Sequence, residues 1–193
     1  METVLISKEV ENQNDAPTPD LPWVIRAQAG DARAFEVLFD RYYDMIHAFA
    51  YRLCFVETEA DDIAQETFIR AARGIVGYRQ TASFKNWLYR IAHNVAVDWR
   101  RRAVRHREGL VEFTAEVETQ PSKPEADYDD VHRALEKLPA DLREAVVLVY
   151  FEGMNHRDAA EALGCAETTV SWRIYRAKRK LKKVLGSGKG GGS

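Results

Sequence analysis

Cysteine is nearly missing from this chain: Cys54 and Cys165 are the only two in 193 residues, far apart in sequence. That excludes a disulfide-stapled fold and a cysteine-based zinc site, and it suits a reducing compartment. Long apolar runs are missing as well. No stretch approaches the roughly 20 residues of a membrane-spanning helix, so no membrane insertion is expected. Residues 1–20 are polar and acidic, without the extended hydrophobic core of a secretory signal. With few large apolar groups and with Pro17 and Pro19 as breakers, they are expected to be disordered. Catalytic constellations are absent too. His47, His93, His106, His132 and His156 are scattered without metal-ligand spacing, and no Gly-rich phosphate loop occurs. Asp61, Asp62 and Glu66 mimic a ligand set only superficially, because consecutive helical residues diverge by about 100°. The reading is a soluble cytoplasmic protein that is not an enzyme and takes no metal or cofactor.

Net charge is only −2, but its distribution is uneven. Residues 98–107 and 173–183 are strongly basic. Residues 112–130 carry Glu112, Glu116, Glu118, Glu125, Asp127, Asp129 and Asp130 against Lys123 alone. This acidic stretch also holds Pro121 and Pro124 and has no sustained period, which predicts a linker over 108–127. Its acidity suits either a solvated spacer or a mimic of nucleic acid that competes for a basic channel.

The apolar residues on either side recur at helical spacing, so the expected fold class is all-α, with two small helical domains. In the first, over 21–107, Asp31 reads as an N-cap before Phe35, Leu38, Phe39, Tyr42, Ile46, Phe49 and Leu53. A second helix after Thr58 turns Ile63, Ala64, Thr67, Phe68 and Ala71 inward and has acids in its first turn. Ser83 then caps a long helix whose stripe is Phe84, Leu88, Ile91, Val95 and Trp99, running into Arg100, Arg101, Arg102, Arg105 and Arg107. The second domain, over 128–185, places Val131, Ala134, Leu135 and Leu138 on one short helix. Leu142, Ala145, Val146 and Val149 follow on a helix opened by Pro139. Asn155 caps the next helix, with Ala159, Ala160 and Leu163 inward. Gly164 makes the turn, and Val170, Ile174, Ala177, Leu181 and Val184 line the last helix. Residues 186–193 form a Gly/Ser tail of artificial-linker type and are excluded from function.

Two constellations point to nucleic acid. Ala160, Gly164 and Val170 have the spacing of a helix-turn-helix. On its last helix Thr168, Trp172, Tyr175 and Arg179 lie opposite the core stripe, with Arg173 and Arg176 beside them. Arginine binds guanine edges bidentately and threonine reaches base or phosphate. Lys178, Lys180, Lys182 and Lys183 suit backbone contact. In the first domain Tyr78, Phe84, Trp87 and Tyr89 interleave with Arg79, Lys85 and Arg90, flat faces and charge of the kind single strands need. Phe84 reads as core, and Trp87 as either core or stacking platform.

ADDIAQETFIRAARGI followed by FKNWLYRIAHNVAVDWRRR resembles region 2 of the extracytoplasmic-function sigma factors. LEKLPADLREAVVLVYFEGMNHRDAAEALGCAETTVSWRIYRAKRKL is similar to region 4, with its "L-P-x-x-x-R" opening and "T-V-x-x-R-x-x-R-A" helix. The likeness spans roughly Trp23 to Leu185. It implies a factor that binds core RNA polymerase, recognises the −35 and −10 promoter elements and promotes melting. Asp61, Asp62, Gln65 and Glu66 would dock on the clamp helices of the largest subunit, and Val147, Leu148 and Phe151 on the flap. The loop from Val76 to Ala82 would capture an unstacked base of the downstream element, with Tyr78, Arg79, Asn86, Trp87, Arg90, Asn94, Arg100 and Arg101 as its DNA-facing residues. Thr168, Thr169, Ser171, Trp172, Arg173, Tyr175, Arg176 and Arg179 would read the upstream element as duplex. The linker would occupy the RNA exit path. A monomer when free is expected, and an anti-sigma partner stays open. Ser171 and Trp172 depart from the family habit of Lys or Arg followed by Ser, and Asp158, Ala159, Ala160 replace a small-Glu-small trait. A stand-alone helix-turn-helix regulator, which would need a dimer interface or ligand pocket, leaves the first domain unexplained. A recombinase would need acids or a nucleophile gathered from separate segments.

Overall fold

The computed structural model describes residues 19–110 and 128–187, all of it helices and connecting turns. Most of the expected disordered N-terminus, the linker and the tail lie outside the described residues. Helix α1 (Leu21–Gln28) had no sequence signal of its own; it is one short amphipathic stretch with Pro22 in its first turn. Asp20 just ahead of it is buried, accepts from the Arg41 guanidinium at 2.5 Å and from the Tyr42 hydroxyl, and so ties α1 to α2 (Ala32–Cys54).

The predicted caps form. The Asp31 carboxylate accepts from the Arg33 and Ala34 amides at 3.0 and 3.2 Å, opening α2. Helix α3 (Glu57–Gly74) buries Ile63, Ala64, Thr67, Phe68 and Ala71, and the Thr67 hydroxyl is satisfied by the Ile63 carbonyl. A 3-10 turn, Ile75–Gly77, leads into the loop before α4 (Phe84–Leu110), where Ser83 Oγ accepts from the Asn86 amide at 3.1 Å. Helix α4 runs three residues past the expected start of the linker at 108.

The second unit holds α5 (Tyr128–Glu136), α6 (Ala140–Val146), a π-turn over Val147–Phe151, α7 (His156–Leu163) and α8 (Glu167–Ser187). Asn155 Oδ1 caps α7 through the Asp158 amide at 2.8 Å, and Gly164 adopts φ +63 as the turn requires. Ala160 and Val170 are buried where α7 crosses α8. Val131 is a correction: it is 47% exposed, because α5 presents Ala134 and Leu135 to the core instead.

The two units share one apolar core rather than hanging apart. Phe49, Leu88 and Tyr89 of the first belong to the same buried cluster as Leu148, Ala159 and Val170 of the second, and α7 packs along α4. Arg143 on α6 fastens them. Its guanidinium donates to the carbonyls of Leu135 (3.0 Å), Glu136 (3.1 Å), Leu138 (3.2 Å) and, across the units, Leu53 (2.7 Å). Leu53 sits in the last turn of α2, and Leu135 and Glu136 close α5, so one side chain satisfies orphan carbonyls of two helix C-termini. The face of the guanidinium lies 4.6 Å from the Phe55 ring. This is the arginine of the "L-P-x-x-x-R" opening.

Arg143→Ala is expected to cost about 2–4 kcal/mol of unfolding free energy in urea titration, since several charge-assisted bonds go at once. Arg143→Lys should recover less than half of that, because an ammonium lacks the planar fork.

Candidate nucleic-acid interface

The loop between α3 and α4 is held from behind. Gln28 Nε2 donates to the Ile75 and Tyr78 carbonyls at 2.9 and 2.8 Å, and the Tyr78 hydroxyl to the Ala82 carbonyl at 2.5 Å. A cavity of about 220 Å³ opens in front of it, lined by Gly77, Tyr78, Arg79, Thr81, Ala82, Asn86, Trp87 and Arg90, and by Glu161 from α7. It is smaller than the roughly 300–1,000 Å³ clefts that take drug-sized ligands and suits one flat group. Its aromatic wall is a mutually braced set: Tyr78 and Trp87 have ring centroids 5.0 Å apart, and Phe84 packs 5.5 Å from Trp87. Burial pushes the Tyr78 phenol up to about 12, so the ring stays neutral. Asn86 is 7% exposed and lines the cavity. Arg79 and Arg90 at the rim are exposed. Trp87 packs against the core and also forms part of the cavity wall.

Further along α4, Asn94 and Arg101 are exposed, whereas Arg100 turns to the second unit and binds Glu144 at 2.8 Å. Tyr89, expected among the stacking aromatics, is fully buried. It packs edge-on against Phe49, and its hydroxyl donates to Glu152, which with burial raises its pKa.

On α8 the outward face forms as expected. Thr168, Ser171, Trp172, Tyr175, Arg176 and Arg179 are exposed, with Thr169 and Arg173 half-buried. Arg176 lies 4.9 Å over Trp172 and Arg179 5.8 Å over Tyr175, so each arginine is propped by the aromatic four residues before it. Arg173 leans back toward Asp141 at 4.0 Å. His156 Nδ1 meets Ser171 Oγ at 2.8 Å, locking the first turn of α7 onto the reading helix.

The acidic face of α3 divides. Asp62 and Gln65 are exposed, with Ile69 45% exposed one turn on. Asp61 faces His47 at 3.2 Å, and Glu66 binds Arg70 at 2.7 Å. The apolar surface expected around Val147, Leu148 and Phe151 needs correcting: Val147 and Leu148 are fully buried in the shared core, and only Phe151, with Tyr150, reaches solvent. The π-turn rotates the chain so that consecutive apolar residues point to opposite sides. Cys54 is half-buried, and burial pushes its thiol up to about 11, which leaves it a poor nucleophile.

Residues 38–106 match Sigma-70 region 2, and residues 128–181 match Sigma-70, region 4. The chain is 37% identical over 158 residues to the ECF RNA polymerase sigma factor SigM of Mycobacterium tuberculosis (strain ATCC 25618 / H37Rv), spanning 82% of this chain and 80% of that protein. It is 35% identical over 181 residues to the RNA polymerase sigma-H factor of Pseudomonas aeruginosa, spanning 86% and 93%. Among solved structures it is similar to CnrH in complex with the cytosolic domain of CnrY (TM-score 0.67, 30% identity, 87% of this chain and 97% of that one). It is also similar to the sigma factor RpoE in complex with the anti-sigma factor NepR from Bartonella quintana (TM-score 0.68, 28% identity, 80% and 98%). Two helical units, with a small aromatic cavity lined mainly by the first and a helix-turn-helix in the second, agree with a two-region transcription initiation factor. The chain belongs to the extracytoplasmic-function sigma factors of the sigma-70 family, and it is a promoter-recognising sigma factor of RNA polymerase.

His93 on α4 is half-buried between the units, its Nδ1 without a hydrogen bond, 3.6 Å from Glu144. Burial lowers its pKa, the Glu144 charge opposes this, and Arg100 and Arg173 add to the lowering. The unfolded chain therefore binds more protons below the ordinary histidine pKa of about 6.5, and stability is expected to fall as pH drops through that value. Thermal melts from pH 7.5 to 5.5 check this; His93→Gln should flatten that part of the profile.

Proposed function

We propose that the aromatic cavity is where a base of the melted downstream promoter element is captured, and that α8 reads the upstream element in the major groove. The observation that carries this is the pairing of a braced Tyr78–Trp87 wall with the nearly buried Asn86 and the rim cations Arg79 and Arg90 in one cavity. A flipped base would stack on the wall and use the amide for edge contacts, offsetting a few kcal/mol of unstacking. Asn94 and Arg101 continue that track along α4, and Arg100 joins it when freed from Glu144. On α8, Arg176 and Arg179 are the base readers, Thr168, Thr169, Ser171, Trp172 and Tyr175 line the groove, and Arg173 holds backbone.

Asp62 and Gln65, with Asp61 and Glu66 beside them, form the polymerase-clamp contact of α3. Tyr150 and Phe151 are the part of the flap contact that solvent reaches; Val147 and Leu148 support it from below. Both of these similar solved structures are complexes with a partner protein, one of them a sigma factor with an anti-sigma factor, and we extend such a partner to this chain. The factor acts in the cytoplasm and breaks no bond itself. Run-off transcription with bacterial core polymerase from a randomised promoter library tests the assignment: enriched start sites deliver both elements, and failure to co-elute with the core enzyme removes it.

Arg176→Ala should weaken upstream binding by about 1–3 kcal/mol and relax specificity at one base pair. An equal loss on every promoter variant would instead mark a phosphate contact. Asp62→Arg should reduce retention on core polymerase by charge reversal; unchanged co-elution would take Asp62 out of the interface.

A further inference from the structure

The N-terminal turns of a recognition helix are the part that meets base edges, and on α8 these run from Glu167 to Arg173. Several of their polar groups are already engaged. The Ser171 hydroxyl donates to the Glu167 carbonyl at 3.2 Å and stands 2.8 Å from His156 Nδ1, so its single hydrogen is used inside the protein. Thr169 is half-buried, and Arg173 leans toward Asp141 at 4.0 Å. Glu167 and Thr168 are exposed at the very start of the helix. The largest exposed side chain on these turns is Trp172, which is 51% exposed. Its indole is apolar apart from one N–H donor. The Arg176 guanidinium lies 4.9 Å over the ring, and half of the side chain still meets solvent. Tyr175, which props Arg179 in the same way, ends in a hydroxyl that can bond a phosphate; Trp172 has no such group.

A flat apolar side chain among groove-facing residues is matched by an apolar group in the groove, and the major groove of DNA has one, the C5-methyl of thymine. We propose that Trp172 specifies a thymine of the upstream element by packing its ring on that methyl, in the base pair adjoining the one that Arg176 reads; this rests on the reading of α8 as the major-groove helix. The contact between guanidinium and ring, 4.9 Å, fixes the neighbourhood. Successive bases of a strand are about 3.4 Å apart, so two side chains in contact reach the same pair or adjoining ones. A guanine bound by Arg176 pairs with cytosine, which carries no methyl, and the thymine therefore belongs to the adjoining pair. Cytosine offers an amino donor in that part of the groove and the purines an N7 acceptor. At any base but thymine the ring covers polar edge without bonding it. A ring that only propped Arg176 would alter how the arginine reads its base and leave thymine methyls without effect.

The test uses holoenzyme assembled from the full chain and bacterial core polymerase, on a duplex promoter selected from the randomised library. Each thymine of the upstream element is replaced in turn by deoxyuridine, which lacks only the C5-methyl and pairs unchanged. At one position binding should weaken about fourfold, the worth of one buried methyl-sized group. With W172S the same replacement should have no effect. With W172F the loss should return, because a phenyl ring restores the apolar contact. Trp172 is half exposed and outside the core, so both variants keep the fold. An upstream element without thymine, no loss at any thymine, or a loss that persists unchanged in W172S overturns the proposal. Replacing each guanine by an analogue that lacks the N7 acceptor tests α8 separately. If that replacement weakens binding by the natural chain but not by R176A, while deoxyuridine has no effect, α8 remains the reader and thymine recognition by Trp172 fails. If neither replacement has any effect, both readings fail.

Discussion

Much of this structure depends on a single guanidinium. Arg143 has five N–H donors in a rigid plane and spends them on four carbonyls, three in the last turns of α2 and α5 and one, Leu138, in the turn that follows α5. The Leu53 bond is the one that crosses between regions, and it lands two residues before the left-handed Phe55 that terminates α2. Without it the α2 C-terminus would face the second unit with an unsatisfied carbonyl in a part-buried setting, which is costly. The short turn through Pro139 sets up this reach. Proline fixes the backbone at the start of α6 and lacks the amide that would compete, so Arg143, one turn in, projects back across the end of α5. The motif spacing is therefore a folding requirement of the second unit before it is anything else.

Once the units are joined, charge decides which surfaces remain available. Region 4 meets region 2 with two nearly buried acids, Glu144 on Arg100 of α4 and Glu152 on Arg52 of α2. Unpaired, these acids would be expensive inside an interface; paired with Arg100, Arg52 and Tyr89 they are satisfied without being strongly stabilising. The shared apolar core, with Phe49, Leu88, Leu148 and Val170 in one cluster, supplies the adhesion, and the ion pairs supply register.

The sequence carried the local half of this. Asp31, Ser83, Asn155 and Gly164 were legible as caps and a turn because each acts within four residues. The inward stripes of α2, α3 and α4 were legible from their period, and so was the outward face of α8. What sequence could not show was contact between distant segments: Arg100 with Glu144, Lys85 with Glu152, Gln28 under the α3–α4 loop. Asp20 and α1 gave no signal, because about two turns of amphipathic pattern are below what periodicity can separate from loop. Val147 and Leu148 were misplaced for a different reason. An unbroken run of apolar residues through a π-turn has no helical phase, so period alone does not say which ones face out.

A two-site reader with a long tether gains affinity only when both sites can engage together. In the arrangement seen here the sites are unequal. On α8 the arginines are already propped on Trp172 and Tyr175, which lowers the ordering cost of meeting bases. Trp172 thus holds Arg176 in place, which a serine at the same position would not do. The cavity of region 2 is shaped but shared with Glu161. Apparent affinity at such a site is reduced by the fraction of chains in which it is open. On the proposed reading, polymerase contact at Asp62 and Gln65 brings both promoter elements within reach at once. Promoter selectivity then follows from the assembly more than from either DNA contact alone.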